Sequence, residues 1–277
     1  MRVQMQHDAS AERFAKQLLD IENEKMTIDR STNCITLPTD FCEITATKAR
    51  LMSEVFPNMT RNYKNHDWLS ARAILAARNN DVDAINFHIQ NEIPGEAITS
   101  KSIDTMMIYQ NEAVNYPTEF LNSLNLPSLP PHVLELKIGV LIILLRNINP
   151  PQLCNGTRLS LKTLPQCIQY NISLVLCTII SGKFKGEYVL LPRIPMIPTD
   201  VPFEFKRLQF QVPLAFGMTI SKAQGQSLQV YGLYLANPCC THGQLYIACL
   251  PVGKHSDLFV YAPQRKTKNM VYPGALQ

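Results

Sequence analysis

The sequence of 277 residues has no long apolar run and no export signal. Its longest apolar stretches, Ile138–Leu145 and Ile172–Ile180, are about half as long as the ~20 residues that cross a bilayer. The first twenty residues mix Arg, Lys, Asp and Glu without the apolar centre of a secretory signal. We therefore expect an intracellular protein that has no membrane partner.

Paired cysteine motifs are also missing, although the chain has eight cysteines. None of them forms a C-x-x-C pair, so we expect free thiols and no disulfide framework. Cys239, Cys240 and His242 stand close together, but a tetrahedral zinc site needs a second ligand pair, and the sequence offers none. No metal site is predicted.

The phosphate-binding loop G-x-x-x-x-G-K-[ST] does not occur in this sequence. Gly182–Lys183 is followed by Phe184, and Gly253–Lys254 is followed by His255, so neither Gly-Lys pair fits. No Asp-Glu pair follows an apolar strand to hold Mg²⁺. The chain alone is therefore not expected to bind and cleave a nucleoside triphosphate by the usual P-loop route.

Acidic residues are scarce in the second half of the chain. Residues 137–277 carry 14 Lys and Arg against 4 Asp and Glu, a net charge of +10, whereas residues 1–136 carry 12 and 18, a net charge of −6. A basic half of this kind is typical of a surface that neutralises phosphates. A solvated basic face is the alternative interpretation.

Hydrophobic periodicity predicts an α/β chain that an all-β segment interrupts. A helix capped by Ser10 and a strand–turn–helix unit from Ala73 to Pro94 precede a proline-rich stretch. Short β-branched segments follow, beginning with Leu134–Leu145, and the α/β pattern then returns. The predicted parts are 1–112, 113–203 (the inserted β-domain) and 204–277.

The segment Thr219–Gln226 has the composition of a phosphate-binding turn. It follows a predicted strand, Leu208–Phe216, and it combines hydroxyls, a cation and two amides with an unobstructed glycine. The alternative is an ordinary strand–helix turn with a capping Ser221 and a solvated Lys222. The polar and glycine positions are Thr219, Ser221, Lys222, Gln224, Gly225 and Gln226.

Three late segments together resemble the end of the PIF-type (petite integration frequency) ATP-dependent DNA helicases, a branch of superfamily one that includes Helitron proteins. They are Thr219–Leu228, His242–Cys249 and Leu258–Pro263. Leu144–Asn147 and Leu153–Arg158 are similar to the inserted β-domain of that family. Asn80–Asp83, Pro94–Glu96 and Asn115–Phe120 are similar to the first part of its second RecA-like domain.

The resemblance implies a second RecA-like helicase domain with an inserted small Src-homology-three-like β-domain, from the carboxyl-terminal half of a helicase. Single-stranded DNA and a P-loop-containing helicase half are the implied partners, and ATP and Mg²⁺ would bind only with that half. A nuclear role in DNA repair or recombination is implied as well. Positions implied to couple DNA to the nucleotide are Arg78, Thr219, Lys222, Gln224, Gly225 and Gln226, and DNA contact is assigned to Arg146, Arg158, Lys206 and Arg207.

One departure from the family pattern bears on catalysis. Where the family has Ser-Arg-Val-Gly, with the arginine reaching the γ-phosphate, this chain has Leu250-Pro251-Val252-Gly253. Pro251 has no positive charge and no hydrogen-bond donor, so it cannot stabilise the negative charge that develops on the phosphate during transfer. We therefore predict no catalytic residue and no ATPase activity for this chain alone. A non-catalytic single-strand-binding module and a transposon-derived relic are the alternatives.

Overall fold

The structure is a computed structural model that describes residues 9–23, 25–107, 116–126, 129–163, 174–226, 228–239, 241–251 and 254–270. The chain divides by its internal contacts into two compact units. The parallel-sheet unit comprises the described residues of 1–62, 67–89 and 216–277, and the antiparallel unit those of 63–66 and 90–215. Throughout the described ranges, no helix has the length and apolar character needed to span a bilayer.

Helices and short strands alternate along the chain, except in its middle part, where strands predominate. The chain up to residue 92 forms α1 (Ala9–Glu22), β1 (Ile28–Asp29), β2 (Cys34–Thr36), β3 (Glu43–Ile44), α2 (Lys48–Val55), α3 (Met59–Asn62), α4 (His66–Ser70), β4 (Arg72–Ala76) and α5 (Asn79–Glu92). The middle forms β5 (Ile98–Lys101), β6 (Ile103–Met106), α6 (Thr118–Ser123), β7 (Val133–Leu136), β8 (Leu141–Ile143), β9 (Arg158–Thr163), β10 (Leu174–Ile179), β11 (Tyr188–Met196) and β12 (Phe205–Phe210). The last part forms β13 (Gly217–Thr219), β14 (Val230–Tyr234), α7 (Gln244–Cys249), β15 (Leu258–Tyr261) and β16 (Lys266–Thr267), with 3₁₀ turns at Ile220–Ala223, His255–Asp257 and Pro263–Arg265.

The parallel-sheet unit is built on five strands in the order β13-β4-β14-β15-β3, and every neighbouring pair is parallel. Because parallel sheets are covered on both faces, their strands are apolar throughout. Four of the five residues of β4 are buried, as are three of the five in β14. Helix α2 packs closely on β14, since a Cβ on Gly232 would lie 2.8 Å from Val55 of α2. It would also lie 2.9 Å from Ile74 on the neighbouring strand β4.

The antiparallel unit contains a six-stranded sheet in the order β6-β12-β11-β10-β9-β8 and a two-stranded sheet of β5 and β7. Every pairing in these sheets is antiparallel. The predicted limits of the inserted domain, 113–203, stay a prediction. Contacts group β5, β6 and β12 with the inserted strands because β12 pairs with both β11 and β6.

Most of the predicted elements are confirmed, and two predicted strands have different limits. The predicted helix is α1, which includes Ser10, so the predicted cap at Ser10 was wrong, and the predicted strand–turn–helix unit is β4 and α5. The predicted strand Leu208–Phe216 was wrong in its limits, because β12 ends at Phe210 and Pro213 lacks the N–H that a ladder requires. The segment Leu134–Leu145 is two strands, since the chain turns at Gly139, whose φ is +89°.

A buried ion pair joins β12 to β6 in the antiparallel unit. Arg207 and Asp104 are register partners, both side chains are fully buried, and Arg207 Nη2 lies 2.7 Å from Asp104 Oδ2. Arg207 Nε also donates to Asp104, Nη1 donates to the carbonyls of Leu124 (3.1 Å) and Pro130 (3.2 Å), and Nη2 donates to that of Leu121 (2.7 Å). All five guanidinium donors therefore have acceptors, and the segment around α6 is fixed to the sheet.

Two further residues extend this buried network to the start of β7. Ser102 Oγ donates to Asp104 Oδ1 at 2.7 Å and lies 2.8 Å from His132 Nδ1. A serine hydroxyl has one proton, so Nδ1–H of His132 must be the donor in the second contact. Desolvation lowers the pKa of His132, with Asp104 acting in the opposite direction, which fits a neutral imidazole in this position.

Replacing Asp104 should destabilise the antiparallel unit strongly. Asp104→Ala leaves the Arg207 charge buried without its counter-ion, and breaking such a pair typically costs about 3–5 kcal/mol. Urea unfolding at pH 7 measures the change in unfolding free energy. Lys206→Ala, which alters the exposed neighbour of Arg207 on the same strand, should stay within about 0.5 kcal/mol of wild type. Similar small losses for both variants would contradict this account of the pair.

Candidate functional site

Several polar residues of the parallel-sheet unit lie at the carboxyl edge of its sheet. Parallel strands end at one edge, and ligands of open α/β sheets bind there. Strand β4 leads to Arg78, β13 leads directly into Thr219–Gln226, and β14 leads to Asn237. We name the residues 219–226 the β13 turn. The register pairs Thr219 with Ala76 and Ala76 with Tyr234, so these three strand ends are adjacent.

Two buried apolar residues hold the β13 turn against the unit. Ile220 and Ala223 are each 1% exposed and belong to the main core, whereas Ser221, Lys222 and Gln224 are exposed. The 3₁₀ geometry of Ile220–Ala223 separates the two sets, because it turns the apolar side chains inward and the polar ones outward. The turn and short helix that the sequence predicts over Ser221–Ser227 is a single 3₁₀ turn at Ile220–Ala223, and Ser227 lies outside the described residues.

Gly225 allows the chain to leave the β13 turn. Its φ of +81° lies in the left-handed region that side chains with a Cβ disfavour, and no other residue comes within 4 Å of the position that a Cβ would take there. The Gln226 amide donates to the Ala223 carbonyl at 3.0 Å and closes the turn. The glycine is therefore required by backbone conformation, and the space beside it is open.

Asn86 on α5 anchors β13 from the side. Its side chain is 3% exposed, its Nδ2 donates to the Gly217 carbonyl at 3.0 Å, and its Oδ1 accepts from the Gly217 amide at 2.7 Å. The amide thus pairs with an edge strand in the way that a further strand would. Sequence reasoning missed Asn86, although an asparagine among the apolar positions Val82, Ile85 and Ile89 of α5 was a visible signal.

The start of α5 is electrostatically coupled to the β13 turn. Desolvation lowers the pKa of Lys222, and the Asp83 carboxylate opposes this shift. Desolvation likewise raises the pKa of Asp83, and Lys222 opposes that shift. Both residues are exposed overall, so Lys222 stays accessible to solvent. Arg78, which directly precedes α5, is also exposed and adds a second cation beside the same strand end.

The ends of β14 and β15 add an aromatic pair to this edge. Tyr234 and Tyr261 are register partners whose rings stack with centroids 5.3 Å apart, and Lys48 Nζ lies 5.4 Å above the Tyr234 ring. Asn237 Nδ2 donates to Asp81 Oδ2 at 2.9 Å, which ties the loop after β14 to the first turn of α5. The edge therefore offers hydroxyls, cations and half-exposed aromatic rings, the groups that contact phosphates and bases.

The structure separates the four arginine and lysine residues assigned to DNA contact. Arg146 and Lys206 are exposed in the antiparallel unit. Arg158 is 2% exposed, and burial lowers its pKa to about 10. Arg207 is 0% exposed in the ion pair with Asp104. Arg158 and Arg207 therefore have structural positions in which their guanidinium groups face no solvent, and this corrects their assignment as surface contacts.

Pro251, which stands in place of the family arginine, follows the end of α7 and is buried. The neighbouring Cys249 and Ala248 belong to the main core, and the Ala248 carbonyl accepts a hydrogen bond from the buried Tyr231 hydroxyl. The helix end is thus packed against the sheet. In the described part of the chain, no group of three or more His, Cys, Asp and Glu side chains is placed to hold a metal ion.

Parts of the chain are similar in sequence to known DNA helicases. Residues 119–164 match a family model described as the 2B domain of DNA helicase Pif1. The ATP-dependent DNA helicase PIF6 of Trypanosoma brucei brucei is 29% identical over 133 residues, which make up 47% of this chain and 16% of that protein. This match supports relatedness over part of the chain.

Solved Pif1 structures share the fold over the whole chain. The Pif1 helicase from Candida albicans has a TM-score of 0.67 at 20% identity, and the alignment covers 100% of this chain and 58% of that one. The Bacteroides Pif1 helicase in complex with ADP-AlF3 and ssDNA has a TM-score of 0.58 at 18% identity, covering 100% of this chain and 53% of that one. The chain therefore spans little more than half the length of these helicases.

These matches confirm the fold class that the sequence predicts, a RecA-like helicase domain with an inserted small β-domain. The predicted resemblance to the PIF-type DNA helicases is confirmed as well, since the chain is similar to part of these proteins.

Removing the Asn86 side chain should loosen the β13 turn. Asn86→Ala leaves the amide and the carbonyl of Gly217 buried without partners, and each such group typically costs about 1–3 kcal/mol. Urea unfolding and hydrogen exchange of residues 217–226 measure the two effects. Asn91→Ala, an exposed position on the same helix, is the matched control and should change neither. Equal stability of the two variants would show that Asn86 does not anchor β13.

Proposed function

We propose that this chain is the carboxyl-terminal half of a PIF-type ATP-dependent DNA helicase and that it binds single-stranded DNA. The observation that carries the proposal is the β13 turn, which presents Thr219, Ser221 and Lys222 at the carboxyl edge of a RecA-like parallel sheet. The net charge of +10 on residues 137–277 supports an anionic partner. The ssDNA bound to the Bacteroides Pif1 supports the same class of ligand.

The β13 turn would contact the phosphate backbone of the DNA and would not contact the bases. Lys222 supplies a positive charge, and the Thr219 and Ser221 hydroxyls, which lie 3.4 Å apart, offer donors to phosphate oxygens. Arg78 at the end of β4 would contact a neighbouring phosphate. Gln224, Gly225 and Gln226 belong to the same turn. A DNA strand bound here would therefore affect the whole segment that the resemblance associates with nucleotide coupling.

ATP and Mg²⁺ would act only in a complex with a P-loop-containing helicase half. Such a half supplies the phosphate-binding lysine and the Mg²⁺-binding acids, and this chain would contribute the β13 turn to the shared cleft. Pro251 offers no charge to the transferred phosphoryl group, so the chain contributes no arginine at that position. A role in nuclear DNA repair or recombination, and an origin in a Helitron transposon, remain part of this proposal.

A non-catalytic single-strand-binding module is the second candidate function. The buried Pro251 favours it, because that position is packed at the end of α7 and carries no functional group. In that case the β13 turn and the basic half would be used for DNA binding without a motor. Both candidates require binding to single strands, and they differ in whether a P-loop half restores ATP turnover.

Binding to oligo-dT should weaken steeply with salt if the β13 turn holds phosphates. Each neutralised phosphate contributes about −0.7 to the slope of log affinity against log salt. Lys222→Ala should weaken binding and make the slope shallower by about 0.7. The matched control is Lys16→Ala, which removes the same charge from an exposed position on α1 and should leave the slope unchanged. Fluorescence anisotropy between 50 and 200 mM salt, roughly the range over which such contacts are lost, measures both quantities.

A slope near zero for the wild-type chain would support the solvated basic face and overturn the proposal. Equal slopes for Lys222→Ala and Lys16→Ala would instead show that the β13 turn is not part of the DNA interface.

A further inference from the structure

The antiparallel unit has an apolar surface on one face of its large sheet. Side chains alternate along β11, so that Val189 and Leu191 are buried while Tyr188 and Leu190 point to the other face. On that face Tyr188 is 62% exposed and Leu190 is 59% exposed, and Leu174, which lies diagonally opposite Leu190 on β10, is 42% exposed. Three large apolar side chains exposed together, and not singly, are typical of a surface that contacts a partner.

Lysine side chains lie around the exposed Tyr188 ring. Lys162 of β9 reaches across β10, and its Nζ lies 3.7 Å from the centre of the ring. The turn between β10 and β11 carries Lys183 and Lys185, which are both exposed, and Lys183 Nζ lies 5.9 Å from the centre of the Phe184 ring. Because Tyr188 is the first residue of β11, this turn lies at the same end of the sheet. The surface therefore combines cations with aromatic rings.

Negative charge is scarce around this surface. Between residues 158 and 196 the sequence has one acidic residue, Glu187, against five Lys and Arg. The Glu187 carboxylate already accepts a hydrogen bond from Gln152 Nε2 at 2.5 Å. An anion that also carries flat apolar rings fits both the lysines and Tyr188. Single-stranded nucleic acid has this composition, because a phosphate and an unpaired base recur in every nucleotide, whereas an acidic peptide supplies the charge without a regular succession of rings.

We propose that this surface is a further contact for single-stranded DNA, where a base stacks on Tyr188 and phosphates pair with the lysines. We name it the β11 platform, and it consists of Lys162, Lys183, Lys185, Tyr188 and Leu190. The inference rests on the proposed function, since it takes single-stranded DNA as the ligand.

Base stacking can replace the present contact of the Tyr188 ring. An exposed contact between an ammonium group and a ring is weaker than the stacking of a base on a ring, so Lys162 exchanges the ring for a phosphate when a strand binds. Stacking tolerates any sequence, because every base has a flat π face. Bases inside a duplex are already stacked on each other, so the β11 platform selects single strands over duplex.

The experiment separates bases from phosphates by comparing two labelled oligomers of equal length. One is oligo-dT, and the other is an abasic strand that keeps the sugar–phosphate backbone without the bases. In fluorescence anisotropy with the full chain, Tyr188→Ala should weaken the binding of oligo-dT about five- to hundred-fold, because one stacked base is lost. The affinity for the abasic strand should stay unchanged, since the variant keeps every charge.

Matched variants locate the effect on the β11 platform. Tyr188→Phe keeps the stacking face and should bind oligo-dT as the wild type does. Ile197→Ala removes a 44% exposed apolar side chain just beyond the opposite end of β11 and should leave both affinities unchanged. Lys183→Ala should weaken both oligomers alike and make the slope of log affinity against log salt shallower by about 0.7. An unchanged slope in Lys183→Ala, or unchanged binding of oligo-dT in Tyr188→Ala, would overturn the proposal.

A covalent probe tests the contact in the unaltered protein. Oligo-dT with 5-iodouracil in place of one thymine is irradiated in the complex. The carbon–iodine bond breaks, a carbon–carbon bond to the stacked aromatic ring forms, and hydrogen iodide leaves. Peptide mapping should place the link at Tyr188, and links found only at other aromatic residues would contradict stacking there.

The remaining outcomes separate this inference from the proposed function. Salt-sensitive binding of oligo-dT that Lys222→Ala weakens and Tyr188→Ala does not would overturn the β11 platform and leave the proposed function in place. Failure to bind either oligomer at low salt would overturn both. A dimer in sedimentation that Tyr188→Ala dissociates would assign the surface to a second copy of the chain and overturn the DNA contact.

Discussion

Parallel pairing of β4, β13 and β14 is the constraint on which the candidate site depends. It brings residues that are far apart in the sequence to one edge, because parallel strands begin and end together. Asn86 then fixes β13 in this arrangement by pairing with Gly217, which is 131 residues further along the chain. Ile220 and Ala223, which lie in the main core, then hold the β13 turn against the same unit.

The antiparallel unit depends on a different kind of interaction, because a buried polar network lies inside its apolar core. Arg207 uses all of its donors within the protein, and the carbonyls it binds belong to Leu121 of α6 and to Leu124 and Pro130, which follow it. Such a network is unfavourable unless every member is paired, which makes it specific for one arrangement of α6 on the sheet.

Sequence reasoning predicted the elements whose signal is local. The apolar run of β4, the helical period of α5 and the β13 turn with Gly225 could all be read from neighbouring residues. The burial of a charged residue could not be read in this way, because Lys206 and Arg207 are adjacent and both basic. Arg207 is nevertheless buried in its pair with Asp104, whereas Lys206 is exposed. The role of Asn86 depends on a contact with a distant strand, which no local pattern contains.

Contact between the β13 turn and single-stranded DNA, which the proposed function requires, can be measured by hydrogen exchange of the full chain with and without saturating oligo-dT, because bound phosphate slows exchange of the amides beside it. Slower exchange is expected in residues 217–226 and at the start of α5, together with unchanged exchange in α1. Demonstrated binding that leaves residues 217–226 unprotected would contradict it.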